Sequence, residues 1–78
     1  MKTNSVKFKS HLLINSDMKN YAEILMGNFG EGTIIYYKHK LQNSIDTLYK
    51  VGLFTIDERR ELNHVVNKMT IEYLKSRN

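Results

Sequence analysis

The stretch Tyr49–Leu62, which reads YKVGLFTIDERREL, decides the fold because it contains the signals for the end of one helix and the start of the next. Gly52 is the residue type that most often closes a helix. Thr55 and Glu58 have the spacing of a capping box, in which each side chain bonds the backbone N–H of the other residue. Asp57 and Glu58 also place negative charge at the positive end of the helix dipole. The stretch therefore predicts a tight turn between two antiparallel helices.

Apolar residues recur every three or four positions on both sides of this turn, which is the spacing of amphipathic helices. Thr33 is a suitable N-cap for a helix over residues 34–51, and the capping box starts a helix over residues 56–76. At about 1.5 Å per residue each helix is roughly 27 to 30 Å long, so the two predict a long antiparallel hairpin. Their predicted inner faces are Ile34, Tyr37, Leu41, Ile45 and Leu48 on one helix, and Leu62, Val65, Val66, Met69 and Tyr73 on the other.

A further helix is predicted over residues 17–29, before the hairpin. Ser16 is a good N-cap for it, and Gly30 follows its last residue as a C-cap. The segment Gly27–Thr33, GNFGEGT, is similar to a phosphate-binding loop, but it lacks the lysine and follows a helix rather than a strand. Because Glu31 would also repel an anion, we interpret this segment as the corner between two helices. The apolar face of the helix is Met18, Tyr21, Ala22, Leu25, Met26 and Phe29.

Residues 1–15 form a basic N-terminal segment whose conformation the sequence leaves open. Val6, Phe8, Ser10 and Leu12 alternate with basic residues, as in an edge strand. A lone strand would need a partner from another chain, so we favour a short helix or an extended arm. The expected fold class is all-α, with residues 16–78 as a helical domain of three helices, or four if the N-terminal segment is helical.

Composition narrows the class of protein further. The 78 residues suffice for one domain, and there is no cysteine for a disulfide, a thiolate metal site or a nucleophile. No apolar run approaches the roughly 20 residues that span a bilayer, and no signal-peptide pattern opens the chain. We therefore expect a cytoplasmic protein with no membrane partner. The abundance of lysine, asparagine and isoleucine relative to arginine is typical of AT-rich bacterial or phage genes.

The sequence contains no pattern typical of catalysis or of ligand binding. The three histidines, His11, His39 and His64, lack the spacing of metal ligands, and we interpret them as surface or boundary residues. There is no nucleophile motif and no pair of carboxylates on an apolar face. We expect a non-enzymatic protein with no metal, no cofactor and no small-molecule ligand.

Two families have helical hairpins similar to the one predicted here. Leu48–Glu58 resembles the Leu-x-x-x-Gly-Leu-(Ile)-Thr-x-x-Glu pattern of short C-terminal (SHOCT) domains, with Phe54 in the hydrophobic position. That resemblance implies an oligomerising or partner-docking hairpin and no chemistry. The layout is also similar to sporulation-type aspartyl-phosphate phosphatases, whose signature aligns with Asn63–Asn67. Asn67 stands where that signature has an acidic residue, so the second resemblance implies no phosphatase activity.

The leading functional interpretation is a small regulatory or adaptor protein that docks a helical face onto a protein partner or onto a second copy of itself. Several apolar residues fall outside the predicted inner faces and would mark an interface if they were exposed together. The alternative is that the N-terminal segment covers them through Phe8, Leu12 and Leu13. The candidate interface residues are Tyr36, Phe54, Ile56, Ile71 and Leu74.

DNA binding is the second interpretation, because the net charge of +4 has its basic excess in the N-terminal segment and in the middle of the chain. The first two predicted helices, joined by Gly30–Gly32, have the layout of a helix-turn-helix. The second of these helices opens with the bulky apolar residues 34–37, where base-reading polar side chains are expected. The candidate phosphate contacts are Lys2, Lys7, Lys9, Lys38, His39 and Lys40.

Overall fold

A computed structural model describes residues 2–77 of the chain, with the side chains of residues 6–76. These residues form three α-helices, α1 (Lys2–Met26), α2 (Glu31–Lys50) and α3 (Ile56–Arg77), and no strand occurs among them. The all-α prediction is therefore confirmed. α2 and α3 form the antiparallel hairpin, and α1 packs against both.

The α2–α3 corner satisfies its own backbone groups with two motifs placed back to back. Gly52 has a φ of 85°, the left-handed conformation that glycine adopts without strain. The N–H of Leu53 bonds the Leu48 carbonyl at 2.9 Å, as in a Schellman motif. On the other side, the Thr55 hydroxyl accepts from the Glu58 N–H at 3.1 Å, and the Glu58 carboxylate accepts from the Thr55 N–H at 2.9 Å. The predicted glycine end and capping box are both present.

α1 is longer than the sequence pattern indicated, because it runs without interruption from Lys2 to Met26. The predicted helix covered residues 17–29, with Ser16 as its N-cap, but Ser16 is an exposed residue within α1. No glycine or proline stops the helix upstream, and the buried side chains of Ser10 and Ile14 continue its inner row. The described part of the N-terminal segment is thus helical, neither an edge strand nor an extended arm.

The α1–α2 corner lies earlier in the chain than the sequence predicted. α1 ends at Met26 and α2 begins at Glu31, so Gly30 is the N-cap of α2 and not the C-cap of α1. Thr33, the predicted N-cap, lies in the first turn of α2. Asn28 makes the reversal with a φ of 62°, a conformation that asparagine tolerates better than most residues. The predicted corner between the two helices is therefore present, but α1 ends earlier and α2 begins earlier than the sequence predicted.

The core lies along the common axis of the three helices. The start of α1 meets the start of α3 through Lys7 and Glu58, and Tyr21 contacts Thr70 further along, so α1 and α3 run parallel to each other. The molecule is elongated, measuring 47 × 19 × 16 Å. The buried apolar side chains are Ile14, Tyr21 and Leu25 from α1, Ile34, Leu41 and Ile45 from α2, Phe54 from the corner and Val66 from α3.

A pair of buried hydroxyl groups links α1 to α3 inside this core. Tyr21 Oη and Thr70 Oγ1 are 2.6 Å apart, and Thr70 Oγ1 also lies 2.8 Å from the Val66 carbonyl oxygen. Because a carbonyl can only accept, Thr70 donates its single proton to Val66, and Tyr21 donates to Thr70. Burial raises the pKa of Tyr21, with the hydrogen bond to Thr70 as a smaller opposing effect. The tyrosine therefore keeps its proton at neutral pH.

Removing the two hydroxyl groups one at a time should have unequal effects. Tyr21→Phe leaves Thr70 bound to the Val66 carbonyl, so it should lower the free energy of unfolding by about 0.5–1.5 kcal/mol. Thr70→Val leaves the buried Tyr21 hydroxyl without its acceptor and should cost about 1–3 kcal/mol. Urea unfolding followed by circular dichroism measures both, with Thr47→Val, at an exposed position of α2, as the control. A larger loss for Tyr21→Phe would contradict this assignment of donor and acceptor.

Candidate protein-docking surface

The N-terminal half of α1 is held to the rest of the molecule by one side only. Ser10 and Ile14 are buried on that side, and the Ser10 hydroxyl donates to the Val6 carbonyl at 2.9 Å. The ring of His11 lies against the ring of Phe54, with 4.7 Å between the two centroids. These contacts determine which side of the helix faces outward.

The outward side of the same segment is apolar. Val6 is 46% exposed, Phe8 65%, Leu12 53% and Leu13 55%. Phe8 and Leu12 are four residues apart and Val6 and Leu13 are seven apart, so each pair forms a row along the helix. Lys9 is exposed and lies between the two rows. We call these five residues the N-terminal face.

The exposed surface of α1 changes character after Leu13. Single exposed apolar residues are ordinary on a protein surface, whereas a cluster of them marks a binding surface. Four of the exposed apolar residues of α1 lie within the N-terminal face, which is the candidate site, and Met26 is exposed at the other end of the helix. The exposed residues between positions 15 and 23 are all polar: Asn15, Ser16, Lys19, Asn20 and Glu23.

Glu58 anchors the N-terminal half of α1 to the start of α3. Its Oε1 accepts from the Thr55 N–H at 2.9 Å and lies 3.1 Å from Lys7 Nζ, while His11 Nε2 lies 3.0 Å from Oε2. The backbone hydrogen bond from Thr55 is the largest influence on this carboxyl and, together with Lys7, lowers the pKa of Glu58 to about 2. The anchor holds the inner side of the helix and leaves the N-terminal face uncovered.

Acid should weaken this anchor. The folded-state pKa of Glu58, about 2, lies below its ordinary value of 4.5, so its charge stabilises the fold above pH 4.5. That contribution is lost as the pH falls toward 2. Glu58→Gln keeps a capping side chain without the charge and should lower the free energy of unfolding at neutral pH by about 0.5–1 kcal/mol.

Urea unfolding at a series of pH values between neutral and about pH 2 checks this expectation. The wild type should lose more stability than Glu58→Gln as the pH falls through that range. Glu61→Gln, at an exposed position of the same helix, is the control and should follow the wild type. Equal losses in Glu58→Gln and the wild type would show that the anchor charge does not stabilise the fold.

A second ion cluster joins the end of α2 to the start of α3. Asp46 lies 3.1 Å from Lys50 Nζ and 2.8 Å from Arg59 Nε. The Arg59 guanidinium also lies over the ring of Tyr49, 5.0 Å from its centroid. The hydrogen bond from Lys50 is the main cause that lowers the pKa of Asp46. Because both basic groups have an acidic partner, they add little free positive charge to this end of the molecule.

The residues predicted as an interface do not form one surface. Ile71 and Leu74 are both exposed, and they are neighbours on α3 because they are three residues apart. Ile56 is exposed at the other end of α3, about 22 Å from Ile71 along the helix axis. Tyr36 is exposed on α2, with its ring against the ring of Tyr37. The structure therefore brings only Ile71 and Leu74 together.

Phe54, the fifth predicted interface residue, is 3% exposed and belongs to the core. Its candidacy as an interface residue depended on exposure and therefore does not hold. The alternative, in which Phe8, Leu12 and Leu13 cover the interface residues, also differs from the structure, since all three are exposed. The side chain that lies over Phe54 is that of His11, which its sequence spacing indicates only as a surface or boundary residue.

The residues predicted to contact phosphate are spread over the molecule. Lys2 lies outside the described side chains, and Lys7 is paired with an acidic residue of α3. Lys9 is exposed within the N-terminal face. Lys38–Lys40 occupy successive positions of α2, which a helix turns about 100° apart. The described members of this set do not form a single basic patch.

The fold defines this protein as a small three-helix all-α domain. Comparisons with protein-family models, curated proteins and solved structures give no significant match. Among the described residues, no helix has the length and apolar character needed to cross a membrane. The same residues contain no group of three or more His, Cys, Asp or Glu side chains that could hold a metal ion.

Proposed function

We propose that this chain is a small non-enzymatic regulatory or adaptor protein of the cytoplasm, which docks onto a protein partner through the N-terminal face. The observation that carries the proposal is the concentration of four large exposed apolar side chains on one side of the first turns of α1. Exposing such a cluster to water is unfavourable, and a partner that covers it removes the unfavourable contact.

The form of the N-terminal face suits docking by another helix. Its two apolar rows, Phe8 with Leu12 and Val6 with Leu13, have the spacing by which helices pack against each other. The inner side of α1 is already fixed by Ile14, so the face is presented by an ordered segment and loses little conformational entropy on binding. The resemblance of the α2–α3 corner to partner-docking SHOCT hairpins supports the same kind of role.

Partner retention by the purified chain tests the proposal. Leu12→Glu places a charge within the N-terminal face, whereas Lys19→Glu changes an exposed residue of the same helix beyond it. Proteins retained by the wild type and by Lys19→Glu should be lost with Leu12→Glu, at low and at moderate salt. Retention of the same proteins by all three variants would overturn the proposal.

Adding duplex DNA to the same samples tests the alternative function, which is DNA binding. Phosphate binding weakens steeply between about 50 and 200 mM salt, whereas apolar docking changes little. Light scattering with and without generic duplex at both salt concentrations separates the two. Binding of the wild-type chain to the duplex at the lower salt concentration, with dissociation at the higher concentration, would favour DNA binding over docking.

A further inference from the structure

The N-terminal face has a characteristic charge as well as an apolar surface. Residues 2–16 contain three lysines and no aspartate or glutamate. Lys7 is neutralised by Glu58 on the inner side of the helix, whereas Lys9 is exposed between the apolar rows. The amino end of a helix also adds positive partial charge to this segment. The face is therefore apolar and positive.

We infer that the partner of this face is an acidic amphipathic helix. The inference rests on the proposed function and specifies the chemistry of its partner. One apolar row packs against the apolar stripe of an incoming helix, and an acidic residue beside that stripe pairs with Lys9, which lies next to the row. The face extends over residues 6–13, about 12 Å along the helix axis, so roughly two turns of the partner make contact.

The charge of the face disfavours a second copy of this chain as the occupant. Homodimers most often have a two-fold axis, so the N-terminal face would pack against itself. Lys9 would then face a segment that contains no acidic residue, and like charges would meet across the interface. Glu58, the acidic residue that contacts this half of α1, is already bound to Lys7 and to the Thr55 N–H.

A lipid surface also suits this helix less well than an acidic protein helix. A helix that lies on a membrane needs an apolar side along its length, and the exposed residues of α1 between positions 15 and 23 are polar. Attraction to anionic lipid also draws on several basic residues together. Lys9 is the only lysine within the N-terminal face.

Selection from a displayed library of helical peptides tests the inference without a known partner. The baits are the full wild-type chain and three variants: Leu12→Glu, Lys9→Glu and Lys19→Glu. Lys9→Glu and Lys19→Glu make the same charge change at exposed positions ten residues apart on one helix, so Lys19→Glu is a matched control. Circular dichroism establishes that each bait is folded, and Phe8→Glu, at the most exposed apolar position of the face, replaces Leu12→Glu if that variant unfolds.

The expected peptides have an apolar stripe and a net negative charge. Their affinity should fall more than tenfold with Leu12→Glu and about three- to tenfold with Lys9→Glu, and should be unchanged with Lys19→Glu. Neutral or basic peptides that still lose binding with Leu12→Glu would overturn the acidic partner and leave the proposed function standing. Failure to enrich any peptide, or binding that Leu12→Glu does not change, would overturn both.

Two further measurements test the other occupants. A wild-type dimer in sedimentation that Leu12→Glu dissociates would assign the face to a second copy of the chain. Binding of the wild type to vesicles of mixed phosphatidylserine and phosphatidylcholine, lost with Leu12→Glu, would assign it to lipid. Either result would overturn the inference that the partner is an acidic helix. A wild-type chain that is monomeric and does not bind these vesicles supports that inference.

Discussion

Phe54→Ala should leave the chain largely unfolded at 25 °C. Phe54 is 3% exposed and closes the end of the core where α1, the α2–α3 corner and α3 meet. Truncating a buried phenylalanine costs about 3–5 kcal/mol, because it removes the buried ring and leaves a cavity. A core in a domain of this size supplies only about 3–5 kcal/mol in total, so little stability remains.

Phe8→Ala is the matched control for this experiment, since it removes the same ring from a position that is 65% exposed. Its free energy of unfolding should stay within about 0.5 kcal/mol of the wild type. Thermal unfolding followed by far-ultraviolet circular dichroism compares the two variants. A Phe54→Ala variant that keeps the helical signal and unfolds cooperatively near the wild-type temperature would show that the corner does not depend on this ring.

Val66→Asp should abolish folding, whereas Val65→Asp should be tolerated. Val66 has no exposed surface and lies in the centre of the core, while the adjacent Val65 is 37% exposed. An unpaired carboxylate at the buried position has lost its water and gained no partner, which costs more than about 4 kcal/mol. At Val65 the new carboxylate can remain hydrated.

Amide proton dispersion in NMR spectra distinguishes the two valine variants. Val65→Asp should give the dispersed spectrum of the wild type, and Val66→Asp the narrow spectrum of an unfolded chain. The neighbouring positions keep composition, charge and helix propensity the same, so only the environment differs. Two equally folded variants would contradict the burial of Val66, and two unfolded ones would contradict the exposure of Val65.

The α2–α3 corner could be predicted from the sequence because its signals are local. Gly52 is needed for a left-handed backbone conformation, and Thr55 and Glu58 satisfy each other within one turn. Such interactions depend on residue type and spacing alone, so they do not depend on how the two helices pack against the rest of the molecule. The hairpin and the all-α class follow directly from them.

The extent of α1 was harder to predict, because residues that cap helices also occur on exposed helical surfaces. Ser16 has the type and position of an N-cap, but the helix continues upstream of it. The useful signals were the absence of glycine and proline before Met26 and the four-residue spacing of Ser10 and Ile14. When α1 is extended upstream of Ser16, Leu12 lies on the side of the helix opposite the buried Ile14.

The candidate site depends on burial, which a local pattern does not determine. Val65 and Val66 both fit the predicted inner face of α3, yet the packing of α1 and α2 covers only Val66. The sequence left the burial of Phe54 open, because nothing in its own sequence neighbourhood indicates that His11 lies over it. These outcomes are set by contacts between segments far apart in the chain.

We expect the self-contained α2–α3 corner to form early in folding, because its hydrogen bonds are local. Its backbone hydrogen bonds join residues no more than six positions apart, so closing the hairpin requires little loop ordering. The contact between Tyr21 and Thr70 joins residues 49 positions apart and forms when α1 docks later. Substitution of Gly52 should therefore slow refolding, whereas Tyr21→Phe should mainly accelerate unfolding. In kinetic terms we expect the hairpin to be the nucleus, and α1, which carries the N-terminal face, to dock after it.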